Sequence, residues 1–330
     1  MFKQSKITSL ALLRGIAVVA VCLCHFGDQV TSGSTLPQLF EVFRDYGRYG
    51  VHIFFVISGF IIPYSLFKSR YVISDYFKFL YKRLLRLHPP YLVALLLTFI
   101  IAAVSYKIRH ISNPETPLRI IKSLFYIYIP SENPVFWTLR IEAEYYLFIG
   151  LFFVALSKFP KLSMVLIIPF LMILTQTSLT NYIGLFDYLV FFLIGTLGYL
   201  IYIAEKRPYL EIVTLASMVI FSFCYYELPA SISAVATVLV VLFYRRPVNS
   251  RLEFTGEISY SLYLMHFPIG IKLINLLQRY TNPSHYWMLL ILAMLVCYGF
   301  SWGFWYFIEK PSARLSGGVK YGKPNLDLGR

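Results

Sequence analysis

The sequence has little charge. Only 14% of its 330 residues are Asp, Glu, Lys or Arg, against about a quarter in a typical soluble domain. It is also poor in cysteine. Cys22, Cys24, Cys224 and Cys297 each sit inside an apolar run with no CxxC pair, which excludes a disulfide framework and a cysteine zinc site and leaves them as small packing residues. No HExxH, no Walker GxxxxGK[ST], no GxGxxG after a strand and no GxSxG elbow occurs, so the usual zinc-protease, ATPase, dinucleotide and α/β-hydrolase signatures are missing. There is no internal repeat or low-complexity tract.

What the chain has is hydrophobicity. Apolar residues make up 58% of it and the mean hydropathy is +0.65. That fraction comes close to the ~200 residues that ten membrane spans of ~20 would use. The fold class expected is an all-α integral membrane bundle. Candidate spans lie near 10–26, 50–66, 90–106, 136–156, 162–179, 186–203, 210–226, 229–244, 258–277 and 286–307. The apolar piece 120–129 is long enough to dip into the membrane but not to cross it. Lys3, Lys6 and the run from Leu10 resemble a secretory signal, but Arg14 interrupts the run and no small-x-small cleavage site follows, so a retained first span is expected.

The net charge of +14 would point to nucleic acid in a soluble chain. Here the placement of the charges argues for topology and against nucleic acid as a partner. With the N-terminus inside, the cytoplasmic segments hold 20 of the 30 Lys and Arg and the outer loops hold 7. The positive-inside rule then puts both termini in the cytoplasm. The expected organisation is a membrane domain over 1–310 and a short cytoplasmic tail over 311–330.

Ionisable groups inside spans are costly unless they face the bundle interior, so each is a site candidate. They are Arg14, His25, His52, Arg140, Glu142, Glu144, His266 and Lys272, with Asp187 at an edge. Arg14 and His25 are eleven residues apart, so a helix presents both on one face, about 16 Å apart in height. Arg140 and Glu144 stand at i, i+4 and can neutralise each other, which leaves Glu142 without such a partner. Glu142 lies roughly 9 Å below the outer surface, near the depth of His25. Trp137 marks the interface beside it. Arg83 and Arg86, in the basic loop 67–89 ahead of Pro89-Pro90, share a face if that segment is helical and form a forked guanidinium site suited to phosphate. The same charges also serve as topology determinants and lipid contacts. Ser58 and Tyr260 lie in runs of small and hydroxyl residues where helices pack closely. His266 faces the interior either with His25 or as a packing residue.

Six pieces in chain order carry a resemblance. They are Leu13-Arg14-Gly15-Ile16-Ala17 leading to His25-Phe26, Phe54-Phe55-Val56-Ile57-Ser58-Gly59-Phe60, Arg83-Leu84-Leu85-Arg86-Leu87-His88-Pro89-Pro90-Tyr91, Trp137-Thr138-Leu139-Arg140-Ile141-Glu142, Ile258-Ser259-Tyr260-Ser261-Leu262-Tyr263-Leu264-Met265-His266, and the closing Ile308-Glu309-Lys310-Pro311. Together they resemble acyltransferase family 3, the integral-membrane O-acyltransferases of bacterial surface glycans. His52 departs from the family pattern, where a carboxylate or other residue is expected before the paired phenylalanines.

The resemblance implies transfer of an acyl group, usually acetyl, from cytoplasmic acyl-CoA to a hydroxyl of a saccharide or envelope glycan, in the bacterial inner membrane and without a metal. The residues suit that chemistry. His25 is a base near neutral pH or an acyl carrier, and Glu142 is an orienting carboxylate. Arg14, Arg83 and Arg86 are cations for a developing oxyanion or for the donor's phosphates, with the donor site itself placed on Arg83 and Arg86. Trp137, Ser58, Tyr260 and His266 support the substrate. Arg14, His25 and Glu142 are expected to line one interior cavity. The competing reading is a transporter or flippase of a lipid-linked sugar, which inverted repeats would favour. A non-catalytic partner of a glycan-export complex is a third.

Overall fold

The computed structural model describes residues 7–32 and 34–321. Lys3 and Lys6, and the tail beyond 321 with Lys323 and Arg330, lie outside the described residues. Among the described residues every regular element is helical and there is no strand. The helices are α1 (Thr8–Val30), α2 (Pro37–Gly47), α3 (Gly50–Lys68), α4 (Tyr76–Ile108), α5 (Pro117–Leu124), α6 (Trp137–Lys158), α7 (Pro160–Leu162), α8 (Ile168–Leu174), α9 (Leu185–Ile203), α10 (Tyr209–Tyr225), α11 (Leu228–Phe243), α12 (Ser250–Glu257), α13 (Ser259–Met265), α14 (Lys272–Leu277), α15 (Tyr286–Phe304) and α16 (Lys310–Gly318).

Helix occupies each of the ten expected apolar segments, but by length and hydropathy five stretches are able to cross a membrane unaided. These are Thr8–Val30, Pro37–Lys68, Ile73–Ile108, Leu185–Ile203 and Pro283–Gly318. Pro134–Lys158 and Pro160–Leu174 pass the same test only as a pair, with a bend of 120° between them. Along α4 the exposed positions Leu96, Ile100, Val104 and Ile108 recur every four residues. Such a stripe is unfavourable in water and fits lipid.

The basic stretch expected as a loop is helical from Tyr76 onward, and α4 runs 33 residues through Pro89 and Pro90. At 1.5 Å per residue it is roughly 50 Å long, well beyond the ~30 Å hydrocarbon core. Two prolines should break it, because neither has an N–H for the carbonyl four residues back. Those carbonyls belong to Leu85 and Arg86, and the Ser312 hydroxyl lies against both, 3.2 Å from that of Arg86. The same device recurs in α3, where Pro63 deprives the Gly59 carbonyl and Thr196 Oγ1 donates to it at 3.0 Å. A membrane protein keeps proline-containing helices where neighbouring hydroxyls satisfy the freed carbonyls. Ser312→Ala is therefore expected to lower stability by about 1–3 kcal/mol, read as a lower thermal midpoint in detergent. Ser312→Thr, which keeps the hydroxyl, should stay near wild type, and an unchanged Ser312→Ala midpoint would refute the account.

The described chain divides into two compact units. The first comprises Met1–Phe54, His88–Arg140 and Phe243–Pro311, and the second Phe55–Leu87, Ile141–Leu242 and Ser312–Arg330. In the first, α1 packs on α2, α12 and α13. A side chain at Gly256 would strike the Ala11 backbone, so glycine sets how closely α1 and α12 approach. In the second, Gly59 and Gly195 let α3 and α9 meet backbone to backbone, since a Cβ on either would run into the other helix at Phe192 or Val56. Cys22, Cys24 and Cys297 are buried as expected of packing residues, whereas Cys224 is exposed.

Candidate active site

In the first unit, α1 carries Arg14 and His25 on one unbroken helix, both half-buried. Their separation along the axis is thus the full eleven-residue rise of about 16 Å, and they do not meet at one atom. Gly15 beside Arg14 is a packing residue, because a Cβ there would come within 3.3 Å of the Gly256 and Leu252 backbone.

His25 meets His266, with ring centroids 5.4 Å apart and planes tilted by 31°. Phe267 packs edge-on against both rings, at 4.8 and 5.1 Å, and Phe26 lies 6.4 Å from His266. His266 is fully buried while His25 retains some exposure.

The local sequence explains the placement of His266. It opens a π-helical turn, His266–Ile271, that contains Pro268. Pro268 has no N–H for the carbonyl of Leu264 in an α pattern or of Tyr263 in a π pattern. Side chains take both. Asn133 Nδ2 donates to the Leu264 carbonyl at 3.3 Å, and His266 Nδ1 donates to the Tyr263 carbonyl at 2.6 Å. A carbonyl only accepts, so the proton is on Nδ1, and in the neutral ring Nε2 bears the lone pair. That Nε2 is buried and has no hydrogen-bond partner among the described residues.

Around this pair the unit is cross-tied. Asn133 also donates to Thr98 Oγ1 at 3.3 Å, and the Tyr263 hydroxyl lies 2.8 Å from Thr138 Oγ1 and 3.0 Å from the Val135 carbonyl. Lys272, an unexplained cation within an apolar segment in the sequence, is ion-paired to Glu132, which also accepts from Tyr106. Burial alone would raise the Glu132 pKa, but the Lys272 and Tyr106 bonds to its carboxylate hold it below the usual range. Glu309 is buried and its Oε2 accepts from Ser261 N–H at 3.1 Å and Ser261 Oγ at 2.5 Å. Two of the motifs, 48 residues apart, are therefore one contact. Tyr260, next to Ser261, and Trp137, at the start of α6, are half-buried in this unit.

The second unit holds Glu142, Arg83, Arg86 and Ser58. Glu142 has a partner one turn along its own helix, for the Tyr146 hydroxyl donates to its carboxylate. The Arg83 guanidinium lies 5.6 Å over the Tyr146 ring and 5.4 Å over Phe79, so Arg83, Tyr146 and Glu142 form one cluster. Arg86 is exposed, and the two arginines thus occupy different environments where the spacing predicted one fork. Glu144 Oε2 accepts from the Leu185 N–H at 2.7 Å, which caps the start of α9. Ser58 is half-buried beside the Gly59 crossing.

Tyr146, Asn133, Thr138, Tyr263, Glu132 and Glu309 were not among the residues chosen from sequence. Glu309, Thr138 and Tyr263 carried a signal there, as members of the motif pieces. The others are polar residues whose spacing does not separate them from interface or packing positions.

No curated protein and no solved structure matches the chain at a significant level. The acyltransferase domain that defines acyltransferase family 3 does match, over residues 7–302. That range takes in five of the six motif pieces and both histidines. With its apolar helices and its packed histidine pair, the chain belongs to acyltransferase family 3 and is a membrane acyltransferase.

Proposed function

We propose that this acyltransferase moves an acyl group, acetyl in the simplest case, from cytoplasmic acyl-CoA to a hydroxyl of a saccharide or cell-envelope glycan, in the bacterial cytoplasmic membrane with ten spans and both termini inside. The observation that carries the reading is the half-buried His25 imidazole packed on His266 in an aromatic surround, in a chain of this family. His25 takes the proton of the acceptor hydroxyl as its oxygen attacks the thioester carbonyl. The C–S bond then breaks, and the departing CoA thiolate takes the proton from His25, so charge and atoms balance.

The separation of about 16 Å between His25 and Arg14 is too long for both to serve one carbonyl. It suits opposite ends of an extended acyl-CoA, with Arg14 toward the phosphates. Glu142, held by Tyr146, balances the Arg83 charge and fixes that cluster. Trp137, Ser58 and Tyr260 support substrate positions, and His266 backs His25.

Arg83 and Arg86 bind the donor's phosphates, Arg86 being the one open to a ligand and Arg83 the one braced between rings. A guanidinium grips phosphate through paired hydrogen bonds and stacks on aromatics, neither of which a lysine reproduces. Arg83→Lys and Arg86→Lys should each weaken acetyl-CoA binding by roughly tenfold, about the loss of one charge-assisted hydrogen bond. A topology role forecasts no change, since the positive-inside rule counts both residues alike. Unchanged affinity in both variants would remove the donor site.

The function is tested by deleting the gene and comparing O-acyl groups on the envelope glycans by mass spectrometry. Loss of an acyl group that returns with the wild-type gene supports the reading, and an identical O-acyl profile overturns it. A C-terminal reporter active outside the cell would overturn the orientation.

A further inference from the structure

The catalytic reading of His25 leaves a tautomer problem. Its ring works as a base only if the nitrogen facing the hydroxyl carries the lone pair, which requires the proton to be held on the other nitrogen. Enzymes of the Ser-His-Asp type solve this with a buried acceptor behind the histidine. Among the described residues the structure shows no carboxylate hydrogen-bonded to His25. The nearest acid on α1 is Asp28, one turn further along and exposed.

His266 has the needed properties. It is fully buried, its Nδ1–H is committed to the Tyr263 carbonyl at 2.6 Å, and its ring lies 5.4 Å from that of His25. Its Nε2 is a buried lone pair with no partner among the described residues. A buried polar atom left unpaired costs free energy, and native structures satisfy nearly all of them. The π turn and Pro268 fix this arrangement, since they free the Tyr263 carbonyl that orients the ring.

We infer that His266 is the positioning residue for His25: its Nε2 accepts the N–H of one His25 nitrogen and thereby keeps the lone pair of the other on the acceptor hydroxyl. The chain of bonds runs from the Tyr263 carbonyl through His266 to His25, with a histidine where other enzymes use a carboxylate. A turn of the His25 ring closes the His25–His266 bond when substrate binds, as catalytic hydrogen bonds that are long in the free enzyme commonly tighten in the complex. His266 neither touches substrate nor takes a proton. This inference rests on the reading of His25 as the base.

The test uses the full-length protein in proteoliposomes, with acetyl-CoA as donor and glycan isolated from the deletion strain as acceptor. His266→Asn keeps an amide N–H near Nδ1 for the Tyr263 carbonyl but deletes the Nε2 acceptor. It should lower turnover by about 100-fold, in the range of a general-base contribution, with the KM for acetyl-CoA within about twofold of wild type. Residues that act as a unit are not additive, so the His25→Ala, His266→Asn double variant should be no slower than His25→Ala. His266→Asn with near-wild-type turnover, or a double variant clearly slower than His25→Ala, would overturn the inference while the His25 reading stands. An active His25→Ala would overturn both. If His266→Asn does not insert, His266→Gln decides. It sets an amide oxygen near the Nε2 position, so turnover within about tenfold of wild type supports the inference, and a folded protein as slow as His25→Ala overturns it.

Discussion

His25→Ala should stop acyl transfer, with turnover down about 10³-fold, the middle of the range that general-base catalysis contributes, while the protein still folds and inserts. The separation of the two effects follows from the environment of the side chain. His25 is half-buried, and the rings of His266 and Phe267 pack against it, so truncation removes part of an aromatic contact. The measurement is thiol release from acetyl-CoA in the presence of glycan acceptor, paired with size-exclusion chromatography and a thermal midpoint in detergent. Near-normal turnover in a well-folded His25→Ala protein would sink the assignment. Loss of activity together with loss of fold would instead make His25 a packing residue, which the rescue pattern of His25→Gln, folded but inactive, would then have to contradict.

Glu309→Ala should have the largest effect on the fold. Its carboxylate is a helix cap supplied from 48 residues away: it accepts the Ser261 N–H in the first turn of α13 and the Ser261 hydroxyl as well. Free N–H groups at a helix start carry partial positive charge and favour an anion. Hydrogen bonds to a charged group contribute about 1.5–3 kcal/mol each, so losing both costs about 3 kcal/mol or more, a large share of the 5–15 kcal/mol that keeps a typical protein folded. Glu309→Gln keeps an acceptor oxygen without the charge and should fall between Glu309→Ala and wild type. The check is the yield of monodisperse protein and its thermal midpoint, and an Ala variant as stable as wild type would show that the contact carries no weight. Because α13 leads directly into the turn holding His266, a loosened cap should also reduce activity in the protein that survives.

The candidate site was partly legible. Arg14, His25, Glu142 and His266 were selected from sequence because a charge or imidazole within an apolar segment needs a reason, and Arg83 and Arg86 because their i, i+3 spacing in the basic stretch suits phosphate. The pairing of His25 with His266 was one of two open readings, and spacing could not choose because the residues lie 241 positions apart on different elements. Lys272 looked like an intramembrane cation of unknown purpose until Glu132 was found beside it. Glu142 looked unpartnered because only charges were considered, whereas its partner is the Tyr146 hydroxyl.

By itself the sequence determined the fold class and where helices form, since apolar runs bounded by charge must cross or enter a membrane and a backbone in lipid has to satisfy its own hydrogen bonds. It also determined which groups would be costly in lipid and therefore had to face protein. What only the tertiary structure decided is how the prolines behave. The expected spans 50–66 and 258–277 ran through Pro63 and Pro268 with nothing to show how the freed carbonyls are satisfied, and the basic stretch before Pro89-Pro90 read as a loop. In the fold α3 and α4 continue through their prolines, and Pro268 lies in a π turn. The difference lies in donors brought from elsewhere in the chain: Thr196 to Gly59, Ser312 to Leu85 and Arg86, and Asn133 to Leu264. A proline's missing N–H is a local fact, but the group that compensates for it is a contact at long range, and no window of sequence contains both.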